Sequence, residues 1–344
     1  MTADAATALR IHGGRIDVAE KGYPDAPRPW IDLSTGINPI AYPIPPLPPS
    51  WFARLPLTSE IDDLCAAAAG AYGLPDGAAM LPVPGSEIAI RLAPRVLVAP
   101  GAIACVGILA PTYGSHAAAW RAAGAEVQEL SALPDLQAPL DAVVLVNPNN
   151  PDGRLIAQDA LAAFAERWSA AGKRLVVDEA FGDLAPEASL LRGGPLRRGV
   201  VVLRSLGKFF GLAGLRLGFV AMNADEAQRW RDLLGDWAAS GPACAIATMA
   251  LRDRDWIEAA RSRLAEDRRR LDATLAAAEL RPCGGTDLFG LYESADESDL
   301  VDRFARAGIL IRGFAHSPRL YRFGLPGDDA GWQRLAQTCA RLEN

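Results

Sequence analysis

From residue 59 onward the apolar positions settle into two periods. Residues 59–72 (SEIDDLCAAAAGAY) space their apolar side chains along one helical face, behind a Ser and early carboxylates. The same period predicts helices at 86–93, 114–123 and 158–172. Between them lie short apolar runs at 103–109, 142–146, 174–177, 200–203 and 217–221. Short β-rich runs separated by helices read as parallel strands buried on both faces, an α/β sheet with helical crossovers. After about residue 225 the texture changes: 225–278 is long, charged and helical, and 286–344 alternates short strands with helices at 296–307 and 328–341. The first fifty residues are irregular, with nine prolines from Pro24 to Pro49, and 39–49 reads as extended, polyproline-like chain. The expected division is a large domain over 46–230 and a smaller α+β domain over 231–344, joined by an N-terminal arm, 1–45.

Composition narrows the function. The chain has 344 residues, half of them apolar, and a formal charge of −6, which argues against a protein that coats nucleic acid. The Arg-rich run at 261–270 reads as a solvated helix face paired with Glu258, Glu266 and Asp267. No apolar run reaches the ~18 residues of a membrane span, and no basic segment leads into an apolar core as export requires. Five cysteines without a C-x-x-C pair suit reduced thiols and a cytoplasmic location. His12, His116 and His316 lack metal-ligand spacing, so no metal is expected.

The basic residues are skewed: 32 arginines stand against three lysines, Lys21, Lys173 and Lys208. None of the three sits in a P-loop or a Lys-Thr-Gly element, and no Gly-x-Gly dinucleotide fingerprint occurs. Lys208 lies in SLGKFFGLAGLRLGF (205–219), directly after the strand 200–204. Aromatic and Gly-rich surroundings strip water from an amine and favour Schiff-base chemistry. Ser205 and Arg216 flank it as candidate phosphate ligands. Asp178 closes the strand 174–177, where α/β sheets place ligands; alone it is equally a helix cap or a metal ligand. Residues 147–153 (NPNNPDG) form a Pro-rigid turn whose Asn side chains can donate. Gly85-Ser86-Glu87 precedes the helix 86–93, whose free amides make a phosphate seat.

Taken in order, Gly-Ser-Glu, Tyr113, Asn-Pro-x-x-Pro-x-Gly, Asp-Glu-Ala, Ser-x-x-Lys and Arg resemble the fold-type-I enzymes that use pyridoxal 5′-phosphate, the class I/II aminotransferase family. The resemblance implies an α/β fold: an aminotransferase-like large domain with a mostly parallel central sheet covered by helices, a smaller α+β domain, and a homodimer. It implies that Lys208 binds the cofactor covalently and moves a proton, that Asp178 pairs with the ring nitrogen, and that Asn150 donates to the phenolic oxygen. Tyr113 would stack on the ring, Gly85, Ser86, Ser205 and Arg216 would cradle the phosphate with Glu87 beside them, and Arg322 would clasp the substrate carboxylate near Arg312.

Two positions depart from the family pattern. Phe181 stands where many relatives carry a Tyr that helps hold the phenolic oxygen, and Leu55 replaces a Tyr that reaches the neighbouring subunit's phosphate.

The finer pattern is similar to the threonine-phosphate decarboxylases of cobalamin biosynthesis, carried by His12-Gly13-Gly14, Leu33-Ser34-Thr35-Gly36-Ile37-Asn38-Pro39, 202–209 (VLRSLGKF) and 322–327 (RFGLPG). That likeness implies decarboxylation of O-phospho-L-threonine, with an aminotransferase of the histidinol-phosphate type as the alternative. His12, Gly13, Gly14, Gly36 and Asn38 would then meet the substrate together with Asn150, Arg312 and Arg322, the arm gripping its phosphate.

Overall fold

The computed structural model describes residues 9–10, 13–99, 104–295, 299–315 and 317–341. The chain divides into two compact units, Tyr42–Trp256 and Met1–Ala41 with Ile257–Asn344.

The larger unit is built on a seven-stranded sheet. Its strands are β1 (Ala78–Val83), β2 (Cys105–Leu109), β3 (Glu126–Leu130), β4 (Ala142–Val146), β5 (Arg174–Asp178), β6 (Val200–Ser205) and β7 (Gly218–Asn223). They lie in the order β1-β7-β6-β5-β4-β2-β3. The run from β6 to β3 is parallel, whereas β7 is antiparallel to both neighbours. Helices α1 (Thr58–Tyr72), α2 (Ser86–Leu97), α3 (Ser115–Ala122), α4 (Gln158–Ala170), α5 (Ala227–Leu234) and α6 (Gly241–Arg252) complete the unit. Ala142–Val146 and 200–205 are buried at every position, as central strands covered on both faces must be. Trp120, Trp168 and Trp230 bring three of the helices into that core, each fully buried.

Three expectations change. The run 217–221 is a strand but not a parallel one: a short irregular loop, 206–217, returns the chain beside β6, where a parallel partner would need a helical crossover. Two edge strands fall outside the predicted runs. β3 (EVQEL) is mostly exposed and therefore polar, and β1 carries Pro82, which an edge strand tolerates. Residues 231–256, expected with the smaller part, belong to the larger unit, because α6 packs on α1 and Gly241 sits against the Trp51 carbonyl, where a Cβ would come within 2.8 Å.

The smaller unit holds a four-stranded antiparallel sheet of β8 (Arg281–Thr286), β9 (Phe289–Glu293), β10 (Arg312–Phe314) and β11 (Ser317–Gly324), ordered β10-β11-β9-β8. A two-residue parallel pair, Ile31–Asp32 with Ile309–Leu310, ties the N-terminal segment to this unit. Phe304 and Tyr292 pack edge-on against Phe323 in its core. Among the described residues no helix is long and apolar enough to cross a membrane.

Candidate active site

The parallel strands β4, β5 and β6 end together, and their C-terminal ends open on a cavity of about 170 Å³. Loops beyond carboxyl ends are where open α/β sheets leave backbone groups unclaimed by the ladder. Gly85, Ser86, Glu87 and Tyr113 line one part of this cavity, Asn150, Asp178 and Phe181 another, and Ser205, Lys208 and Arg216 a third. Every residue expected to hold the cofactor is thus in one place.

The first group makes an anion seat. Gly85 precedes α2 with φ 81°, a conformation that favours glycine. A Cβ there would come within 2.8 Å of the Arg216 guanidinium, so the missing side chain lets that cation lie against the helix start. Arg216 itself holds φ 52°, rare for a side-chain-bearing residue, and its Nη1 donates to the Ala213 carbonyl at 3.0 Å. Across the ladder, Ser205 pairs with Gly218, and a Cβ on Gly218 would come within 2.7 Å of the Ser86 amide. Two glycines therefore bring a helix N-terminus, a guanidinium and a hydroxyl together.

Glu87 plays a different part from the others in this group. Its Oε1 accepts from Arg91 Nε at 2.9 Å and its Oε2 from the Tyr113 hydroxyl at 3.3 Å. Burial, reinforced by Glu87, raises the Tyr113 hydroxyl above its ordinary range and keeps it a donor.

At the other end Asp178 is buried, and its Oδ1 accepts from the Ala180 amide at 2.9 Å. Its Oδ2 lies 2.9 Å from His116 Nε2, a ring that is itself buried. His116 was noted in the sequence only for lacking metal-ligand spacing. Its place three residues after Tyr113, on the buried face of α3, was the signal available. Phe181 is buried, with Lys208 Nζ 5.7 Å from its ring centre. The lysine loop is anchored by Phe210, stacked on Trp256 at 5.6 Å, and by Tyr42, whose amide donates to the Phe210 carbonyl. Asn150 rides on a loop braced by Asn149, whose buried amide accepts from Thr112 Oγ1 and donates to Pro111 O and Asp152 Oδ1. Asp152 also accepts from the Arg154 amide.

The remaining expected residues lie in the smaller unit. Arg312 and Arg322 face each other across the β10–β11 ladder. Arg322 is buried, and burial together with Arg312 lowers its guanidinium to about 10. Arg319, a further arginine on this strand, is half exposed near Glu293. Gly36 and Asn38 are buried; Asn38 Oδ1 accepts from the Ile40 amide and from Arg263 Nη2, both at 3.0 Å. The Gly14 amide donates to Ser34 Oγ at 2.7 Å. His12 lies outside the described residues.

Comparison with known proteins agrees with this architecture. Over 97% of its length the chain is 43% identical to a threonine-phosphate decarboxylase of Sinorhizobium sp, covering 98% of that protein. It is 41% identical to the threonine-phosphate decarboxylase of Pseudomonas aeruginosa, over 94% of this chain and 95% of that one. Among solved structures, the histidinol-phosphate aminotransferase of Sinorhizobium meliloti, in complex with pyridoxal-5′-phosphate, superposes with a TM-score of 0.78 at 22% identity, covering 99% of this chain and 97% of its own. The sequence pattern of aminotransferase class I and II matches residues 56–336, more than half of the chain. The protein belongs to the aminotransferase class I and II family.

Proposed function

We propose that the protein is a pyridoxal-phosphate-dependent lyase that decarboxylates O-phospho-L-threonine to (R)-1-amino-2-propanol phosphate in cobalamin biosynthesis. The observation that carries this reading is full-length likeness to threonine-phosphate decarboxylases, joined to a cavity that gathers all ten expected cofactor residues. The cavity suits the cofactor chemically. Gly85 and Gly218 leave room at an anion seat, a buried carboxylate stands at the other end, and a lysine reaches the space between.

Pyridoxal phosphate, when bound, supplies an electron sink conjugated to the substrate Cα. Ser86, Ser205 and Arg216 would hold the phosphate, and Asp178, oriented by His116, would accept a hydrogen bond from the ring nitrogen and favour its protonated form. Asn150 would donate to the phenolic oxygen without help from Phe181, and Tyr113 would cover the ring. Lys208 would hold the cofactor through its amine and is the group placed to move a proton at the substrate Cα.

Only a bond held perpendicular to the conjugated plane can deliver its electrons to the sink. The grip on the substrate's two anions therefore decides whether the carboxylate or the hydrogen is lost. Arg322 with Arg312 takes the carboxylate, and the arm residues His12, Gly13, Gly14, Gly36 and Asn38 take the phosphate side. Incubation with O-phospho-L-threonine should release CO2 and the phosphoamine in equal amounts without an added keto acid. Product formation that depends on 2-oxoglutarate would instead make the protein an aminotransferase of the histidinol-phosphate type.

The cytoplasm and a homodimeric state complete the reading. All five cysteines are thiols. Ile44, Phe52, Leu55 and Leu57 expose large apolar side chains along one short segment, with Phe52 at 69%. Sedimentation equilibrium should give twice the 36.5 kDa chain mass, and Phe52→Asp should shift the population toward monomer. A monomeric wild-type protein would remove the dimer from this reading.

A further inference from the structure

Ser34 belongs to no expected binding set, yet every polar atom it has is engaged. It is fully buried in the smaller unit. Its amide donates to Asp32 Oδ1 at 2.9 Å, and its hydroxyl donates to the same oxygen at 2.5 Å. That hydroxyl also accepts from the Gly14 amide at 2.7 Å, and the Ser34 carbonyl accepts from Arg322 Nη2 at 2.6 Å. One residue thus holds the Gly13–Gly14 segment on one side and the Arg322 guanidinium on the other.

The surrounding backbone allows little slack. A Cβ on Gly13 would collide with the Ser34 carbonyl, and Gly14 adopts φ 79°. Leu33, just before Ser34, donates to the Leu310 carbonyl and accepts from the Gly324 amide, both at 2.7 Å. Those partners stand two residues before Arg312 and two residues after Arg322. Asp32 supplies the local negative charge toward Arg322. Burial raises its carboxyl, while the Ser34 hydroxyl, the Ser34 amide and Arg322 pull it back down.

We infer that Ser34, held by Asp32, is a positioning residue that locks the Gly13–Gly14 segment and the Arg322 guanidinium into one preorganised anion-binding surface. The inference rests on the reading of those two features as substrate contacts. Ser34 itself meets no substrate in this scheme, because its hydroxyl and carbonyl are both spent on the protein. Its value is that two grips on a substrate with two anions keep a fixed separation, which fixes the rotation about the N–Cα bond.

The test uses the holoenzyme and two variants. Ser34→Ala removes the hydroxyl that holds Gly14. Asp32→Asn keeps an acceptor for Ser34 but removes the charge facing Arg322. In Ser34→Ala, amide hydrogen exchange at Gly14 should accelerate about tenfold, and KM for O-phospho-L-threonine should rise about tenfold. Its kcat should fall by less than about threefold, and the affinity for pyridoxal phosphate and its bound visible spectrum should stay as in the wild type. Asp32→Asn should preserve slow exchange at Gly14 while still raising KM. An unchanged KM in both variants would overturn the inference, as would a KM rise accompanied by an equal loss of cofactor affinity, which marks general loosening. Failure of the functional reading shows separately, as absence of CO2 from the wild-type protein.

Discussion

Lys208→Ala should lose CO2 release from O-phospho-L-threonine by at least about 10⁴-fold, because in the proposed function one amine both anchors the cofactor and moves the proton. Lys208→Arg should be as inactive. It keeps the positive charge in the cavity, but a guanidinium stays protonated and does not condense with an aldehyde. The pair separates covalent chemistry from electrostatics: partial activity in the arginine variant would mean that charge, not the amine, is what the site needs. Neither change should cost much stability. Lys208 is only partly buried, and its loop is held by Phe209 and Phe210 packed on Trp256. Melting temperatures within a few degrees of wild type, with loss of visible absorbance from added pyridoxal phosphate, are the accompanying expectation.

This expectation traces back to a feature of the sequence alone. Arginine replaces lysine nearly everywhere in the chain, 32 to three, and the lysine in the strand-end loop is the one that charge cannot explain. The cavity-lining residues were legible for a similar reason. Each is a chemically special type at the end of an apolar run, and the runs at 142–146, 174–177 and 200–203 are apolar because parallel strands are covered on both faces. The edge strands were not legible by that rule. β3 reads EVQEL because one side of an edge strand meets water, and β1 carries a proline that mimics a turn. The antiparallel direction of β7 is not written in its burial, which looks the same whichever way a strand runs; its trace is the short connection 206–217, which holds no α-helical crossover. His116 and Ser34 were missed for a further reason. They act on other residues rather than on a ligand, and apart from the place of His116 three residues after Tyr113, their local sequence does not announce the carboxylate 62 positions away or the arginine 288 positions away that they hold.

The largest effect on stability should come from Arg204→Met. Arg204 is buried just before Ser205, with Nη1 3.0 Å from Glu179 Oε2 and Nη2 3.1 Å from Asp183 Oδ1. Its guanidinium lies 4.0 Å from the centre of the Tyr72 ring, and Gly182 has no Cβ because the guanidinium fills that space. Burial opposes the charge, but Asp183, Tyr72 and Glu179 together raise Arg204 above its usual value, so it is a firm cation. Glu179 is further held by the Ser189 hydroxyl at 2.6 Å and the Leu190 amide at 2.7 Å. Removing the cation leaves two carboxylates in the interior without a counter-charge, at a cost of about 3–5 kcal/mol. Those carboxyls would then titrate above their unfolded values in the folded variant. A raised acidic pKa gives stability that is present below the unfolded pKa and lost as pH rises through the folded one. Denaturant titrations of Arg204→Met should therefore show a smaller deficit near pH 5 than near pH 8. Adding Glu179→Gln and Asp183→Asn to Arg204→Met should recover part of the loss, since the uncompensated charges go with it. A deficit that is flat with pH and not relieved by the two amides would mean that lost packing against Tyr72, not charge, is what Arg204 provides.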